Sequence, residues 1–236
     1  MTLPFRFKEF SVSDAQCGMK ISTDAVVLGA MVDVSAAENI LDIGTGSGII
    51  ALMMAQKSKA LIDAVEMDAE AARQAQENFI ASPWSERLHL IQDSIQHYSQ
   101  EKNHTYDCIV SNPPYFHHQQ KSNAHQTNIA KHDVGLNFED LCGCVHTLLS
   151  EDGRFWVIIP YSEKQHFLQV FLTAGMFCTK SITLFDNKEK EPLRIIYCFA
   201  KQIQEITEIS ELYIKESDAS YTKEFMELTK IFYLNF

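Results

Sequence analysis

From Asn39 to about Ala200, short apolar runs rich in β-branched residues alternate with longer stretches whose apolar positions recur every three or four residues. NILDI, ALIDAVEM, RLHLIQ, YDCIVS, GRFWVIIP and LRIIYCFA read as strands. Between them, GIIALMMAQK, AEAARQAQENFI, FEDLCGCVHTLL and EKQHFLQVFLTA read as helices. That alternation predicts an α/β fold, a parallel sheet with helices on both faces. ILDI and CIVS, apolar on consecutive positions, suit strands buried on both sides.

Two segments flank this core. STDAVVLGAMV predicts a helix capped by Ser22 or Thr23, entered from a short extended piece around FRFKEFSV. At the other end, ITEISELYIKESDASYTKEFMELTKIFYLNF holds one strand-like run and one amphipathic helix. The expected organisation is a leader over 1–36, a core over 37–202, and an extension of the same domain over 203–236. A chain of 236 residues suits one main domain.

Composition narrows the class. With 46% hydrophobic and 22% charged residues the chain is ordinary for a globular protein, and no apolar run approaches the roughly 20 residues that cross a bilayer. MTLPFRFKEF carries charge and no apolar h-region, so the expectation is a cytoplasmic protein without a secretory signal or membrane association. The six cysteines are scattered, without a C-x-x-C pair, and read as reduced core thiols. Cys142 and Cys144 flank Gly143 but have no ligand pair at zinc spacing nearby, so no metal is expected.

A net charge of −11 argues against a nucleic-acid partner until its distribution is considered. Asn112 to His132 contains Lys121, Lys131, His117, His118, His125 and His132 and no acid. Its Gln, Asn, Ser and His content marks it as a candidate mobile loop. Arg6 and Lys8, set among Phe5, Phe7 and Phe10, form a second acid-poor cluster, whereas acids gather from Asp186 onward.

Two motifs carry chemistry. In ILDIGTGSGI, residues 40 to 49, a strand runs into glycines at 44, 46 and 48 and then a helix. Glycines let the chain turn sharply and let a ligand lie against the peptide groups, while the helix start offers unpaired N–H groups. A dinucleotide G-x-G-x-x-G fails because Ile49 stands where the last glycine belongs, and no phosphate-loop Gly-Lys-Ser/Thr is present. The remaining pattern, Asp42-x-Gly44-x-Gly46-x-Gly48, resembles motif I of the S-adenosylmethionine-dependent methyltransferases. The resemblance implies a Rossmann-like class I fold with a seven-stranded, mostly parallel sheet. Glu66 ends the next strand, where an acid can accept both ribose hydroxyls. Asp93 follows the third, where the family places a group near the adenine amine. Asp68 is the alternative to Glu66, or a cap of the following helix.

The second motif is SNPPYF, residues 111 to 116. Prolines cannot donate to a sheet ladder, so the strand ending near Val110 must stop and leave a stiff loop. Asn112-Pro113-Pro114-Tyr115 matches motif IV of the amino-methylating branch of that superfamily. An exocyclic amine conjugated to a ring is a poor nucleophile. If the Asn112 side-chain oxygen and the Pro113 carbonyl each accept one N–H, the lone pair is freed toward the sulfonium methyl. Tyr115 would stack on the base, and Pro114 would stiffen the turn.

The leader, NPPYF, the AKHD segment at 130–133 and the C-terminal SYTKEFMELTKIFYL resemble the bacterial tRNA1(Val) adenine N6-methyltransferases over nearly the whole chain. The resemblance implies action on the adenine beside the anticodon, and a monomer is expected. RNA would be held by Arg6, Lys8, Lys20, Lys121 and Lys131 around the mouth, with the base flipped onto Tyr115. Phe116 would extend the apolar wall or pack in the core. Two departures stand out. AKHD replaces the more usual A-R-H-E, so Lys131 loses the bidentate phosphate grip of an arginine, and Asp133 has no assigned role. STDA replaces G-T-D-G, leaving Thr23 and Asp24 as contacts to the cofactor's amino-acid end or as plain helix capping. Guanine N2 of ribosomal RNA, a protein glutamine, and cofactor binding without catalysis stay open as alternatives. No separate target-recognition domain or helical N-terminal domain has room here.

Overall fold

The computed structural model describes residues 3–102, 104–113, 136–203 and 207–235. The extended opening piece is a hairpin of β1 (Phe5–Arg6) and β2 (Ser11–Val12). Then follow α1 (Thr23–Met31), β3 (Asn39–Ile43), α2 (Ile49–Lys57), β4 (Leu61–Glu66), α3 (Ala69–Ile80), β5 (Leu88–Gln92), α4 (Ile95–Glu101) and β6 (Tyr106–Ser111). The second half comprises α5 (Phe138–Leu148), β7 (Leu149–Pro160), α6 (Lys164–Thr173), β8 (Phe177–Phe185), β9 (Arg194–Ala200), β10 (Glu208–Tyr213) and α7 (Lys223–Thr229).

Strands β3 to β10 form one sheet of eight, in the order β10-β8-β9-β7-β6-β3-β4-β5. Only β9 runs against its neighbours; every other pairing in the sheet is parallel. The sheet therefore has the expected Rossmann-like, mostly parallel form but one strand more than the expected seven. The additional strand is β10, the strand-like run of the C-terminal extension, which pairs along β8 from Glu208↔Lys180 to Tyr213↔Phe185. Its residues are mostly exposed, as suits a strand at the edge of the sheet.

Alternate side chains of the central strands enter two cores, as strands covered on both faces must. Ile40, Cys108 and Val110 join α1, α2, α3, α7 and the hairpin on one face. Leu41, Ile43 and Ile109 join α4, α5 and α6 on the other. Under α6, Phe171 stacks on Phe167 and Phe199 with centroids 4.5 and 4.7 Å apart. Each such buried ring contributes roughly 1.5–3 kcal/mol.

Helix ends follow the chemistry of their caps. Ser22 caps α1 by accepting from the Ala25 N–H, which leaves Thr23 as the first helical residue. Asp68 caps α3 through the N–H groups of Glu70 and Ala71, 3.1 and 2.8 Å away. Helix α4, which the sequence pattern does not announce, is short and mostly polar, and Ser94 caps it. Its Tyr98 donates to Asp63 Oδ2 at 2.9 Å, alongside Tyr106 at 2.6 Å and Lys102 at 3.1 Å. Burial alone would raise the Asp63 carboxyl, but these donors together hold it below its ordinary value.

Candidate active site

The chain leaves β3 toward β4 on one side, while β6 lies against β3 on the other. This reversal opens a crevice beyond the carboxyl ends of β3 and β6, where ligands of open α/β sheets bind. Ile43 and Ser111 are the last paired residues of the two strands. The glycine loop and Asn112 therefore start one residue beyond, side by side.

Gly44, Gly46 and Gly48 take φ values of 70°, 57° and 83°, in the left-handed region that side chains oppose. The three differ in surroundings. A Cβ on Gly44 or Gly46 would meet no atom within 4 Å, whereas one on Gly48 would run into the Phe79 ring. Gly48 thus serves close packing of the loop on α3, and the first two leave an open peptide surface. Backbone bonds from Gly44 and Thr45 to the Val65 carbonyl, at 2.9 and 3.1 Å, hold the turn against β4.

Asp42 lies beneath this loop with no exposed surface. Its Oδ2 accepts from the Thr45 hydroxyl at 2.6 Å and the Ala51 N–H at 3.1 Å, and its Oδ1 has no partner among the described residues. Burial pushes its carboxyl up to about 7 despite those two donors.

Glu66, at the end of β4, accepts the Gly46 N–H on Oε2 and the Asp68 N–H on Oε1, each at 2.9 Å. Its carboxylate therefore edges the open face of the loop, while Asp68 is the helix cap. Asp93 follows β5 beside it, its N–H donating to the Glu66 carbonyl at 3.1 Å. The Asp93 side chain accepts from the Ser94 N–H and pairs with His97 Nδ1, both at 2.7 Å. That hydrogen bond raises the His97 ring above its ordinary value.

Asn112 is 7% exposed, and its Oδ1 is buried with no hydrogen-bond partner among the described residues. A buried amide oxygen left without a donor costs about 1–3 kcal/mol, so this oxygen has acceptor capacity unused by the described residues. Pro113 beside it is buried as well. Pro114, Tyr115, Phe116, Lys121, Lys131, Asp133, the four histidines and the loop proposed after Tyr115 lie outside the described residues.

The leader reaches the crevice by an unexpected route. Phe10 packs edge-on against Trp84, between α3 and β5, and the Gln56 amide at the end of α2 reaches Glu9 Oε1 at 3.4 Å. Both contacts sit at the amino-terminal end of the sheet, opposite Asn112. The hairpin carrying Arg6 and Lys8 therefore does not line the mouth, contrary to the sequence expectation. Phe7 and Phe10 bury there with Tyr233, and Lys8 Nζ donates to the Lys230 carbonyl at 2.5 Å. From the hairpin the chain climbs along α3 to the carboxyl rim. Lys20, near that rim, donates to the carbonyls of Asp14 and Ala15 at 2.6 and 3.3 Å. Thr23 is exposed at the start of α1, and Asp24 Oδ2 accepts from Arg194 Nε at 2.7 Å. Since Arg194 stands opposite Pro160 at the end of β7, this ion pair anchors α1 at the rim.

Thr45, Asn78, Arg73 and Arg194 shape the site without having been singled out in the sequence. Thr45 stands three residues after Asp42, a spacing that could have flagged the hydroxyl; the other three act across long sequence separations. Among the described residues, no group of three His, Cys, Asp or Glu side chains could hold a metal ion, and no helix is long and apolar enough to cross a membrane.

Comparison with known proteins adds the remaining findings. Residues 16–179 match the family model described as the methyltransferase small domain. A tRNA1(Val) (adenine(37)-N6)-methyltransferase of Phocaeicola vulgatus is 42% identical, covering 98% of this chain and 97% of its own. The protein of that name from Haemophilus influenzae is 40% identical, covering 98% and 99%. Among solved structures, an Agrobacterium tumefaciens protein described as a predicted O-methyltransferase superposes with a TM-score of 0.68 at 16% identity, over 88% of this chain and 96% of that one. TrmN from Thermus thermophilus gives 0.56 at 20% identity, over 75% and 48%. At those identities the likeness is one of fold.

Proposed function

The chain belongs to the tRNA1(Val) (adenine(37)-N6)-methyltransferase family, and from that membership we propose that it methylates the exocyclic N6 of adenine 37 in tRNA1(Val), with S-adenosylmethionine as donor. The observation that carries the reading is the partnerless Asn112 Oδ1, set one strand from an open glycine loop.

The residues present suit that donor. The peptide surface of Gly44 and Gly46 would seat it, Glu66 would take its ribose hydroxyls, Asp93 would face its adenine, and Asp42 and Thr23 would flank its amino-acid end. When bound, it supplies an electrophilic methyl on a positively charged sulfur. Asn112 Oδ1 accepts one N–H of the target amine, and the Pro113 carbonyl accepts the other. Drawing both hydrogens toward fixed acceptors localises the nitrogen lone pair and points it at the methyl, a gain of orientation, and the methylated nitrogen then releases one proton to water. Pro114 stiffens this turn, and Tyr115 offers a flat face to the flipped base. Lys20, Lys121 and Lys131 contact the RNA backbone, and the enzyme works as a cytoplasmic monomer.

The test is incubation of the pure chain with labelled donor and separate pools of tRNA, ribosomal RNA and protein, followed by nucleoside mass mapping. The proposal expects N6-methyladenosine in tRNA at position 37. Label confined to protein or to ribosomal guanine would overturn it.

A further inference from the structure

The climbing leader is fastened to the glycine loop by one buried side chain. Asn78, on α3 and 5% exposed, satisfies all of its amide on two segments far apart in the chain, the leader and the glycine loop. Its Oδ1 accepts the Ser13 N–H at 3.0 Å, and its Nδ2 donates at 2.8 Å both to the Ser13 carbonyl and to the Ser47 carbonyl. Ser47 lies between Gly46 and Gly48, so this bond sets the plane of the peptide that follows the open part of the loop. One turn nearer the rim, Arg73 grips the leader again, its Nε and Nη2 donating to Gln16 Oε1 at 3.0 and 2.7 Å.

Between these fasteners and α1, the leader folds on itself. Asp14 Oδ2 accepts the Ile21 N–H at 3.0 Å, and its carbonyl accepts the Cys17 N–H at 3.1 Å and the Lys20 ammonium at 2.6 Å. Cys17 is 5% exposed within this closed loop, its N–H held by the Asp14 carbonyl. Gln16 thus meets the first turns of α3, the helix whose cap Asp68 donates its N–H to Glu66, so the leader reaches the carboxyl rim there.

We propose that Asn78 is a positioning residue that joins the leader to the glycine loop, so that the leader over residues 13–22 closes on the bound donor and governs its release. The inference rests on the donor reading given above. An amide that orders two segments at once makes ligand binding at one of them stabilise the other, and linkage requires the effect to be reciprocal.

The experiment uses the full chain, S-adenosylmethionine binding by calorimetry, steady-state transfer to tRNA, and alkylation of Cys17 followed by mass spectrometry. Asn78→Ala removes all three bonds, and Gln16→Ala loosens only the exposed grip of Arg73. The expected result for Asn78→Ala is donor affinity roughly tenfold weaker. Turnover at saturating donor should stay within about threefold, a split that loss of ground-state binding produces. Gln16→Ala should show the same split at a smaller fold-change. In the unaltered chain the donor should slow alkylation of Cys17, and in Asn78→Ala that protection should be lost. If Asn78→Ala does not fold, Gln16→Ala decides by the same two readings. Variants that bind the donor as tightly as the unaltered chain, or Cys17 alkylation indifferent to donor in the unaltered chain, would overturn the inference. An unaltered chain that binds no donor at all would instead overturn the functional reading beneath it.

Discussion

The Ser111 hydroxyl donates to the Ile43 carbonyl across 2.9 Å, joining the last paired residues of β6 and β3. Beyond one lies Asn112, and beyond the other lies Gly44, so this buried bond sets the distance between the proposed acceptor of the target amine and the loop that would seat the donor. Ser111→Ala should lower stability by about 1–2 kcal/mol through loss of this buried hydrogen bond. Turnover should fall roughly tenfold to a hundredfold, because small misplacements are amplified at the reacting centre. Chemical denaturation together with transfer kinetics checks both numbers.

Gly46 and Gly48 should fail in different ways. At either position alanine pays about 1–2 kcal/mol for left-handed backbone. At Gly48 the new Cβ also meets Phe79, so Gly48→Ala should lose roughly 2–4 kcal/mol of stability. At Gly46 the Cβ projects into open space, so Gly46→Ala should remain folded and lose donor affinity. Melting curves and donor titration on the two variants separate these outcomes.

Asp42 predicts a pH dependence of folding without ligand. Its carboxyl is shifted from an ordinary 3.8 to about 7 by burial, so across that interval the folded chain holds a proton that the unfolded chain has lost. Stability from this group is therefore present below the interval and lost as pH rises through it, by a total of the order of 4 kcal/mol. Subtracting the denaturation profile of Asp42→Asn from that of the unaltered chain should expose a decline between those limits; a flat difference would contradict it.

Much of this was legible in short-range pattern. The runs that became β3, β4, β5, β6, β7 and β9 stand out because burial on both faces demands continuous apolar residues, and the glycine loop because left-handed backbone demands glycine. Strand β8, FCTKSITLF, was not separately recognised; polar residues interrupt it and much of its length is half-buried. The path of the leader was not legible at all. Ser13 meets Asn78 across 65 residues and Asp24 meets Arg194 across 170, and nothing local to either residue encodes its partner. Lys8 was expected at the mouth, and burial of the aromatics around it places it instead toward the far end of the sheet.

The Asp93–His97 pair gives a spectroscopic prediction. The histidine ring is raised from 6.5 by its hydrogen bond to Asp93 and then by the charges of Asp93 and Glu101. In Asp93→Asn the titration midpoint of His97, followed by NMR of the ring protons, should move down toward that ordinary value. An unmoved midpoint would show that the pair is not formed in solution.

The most direct measurement is single-turnover methyl transfer to tRNA by Asn112→Ala, with donor affinity determined on the same preparation. The account predicts transfer reduced by at least roughly a thousandfold with donor affinity within a few fold of the unaltered chain, since the lost oxygen acts on the amine and not on the donor. Transfer at an undiminished rate would contradict it.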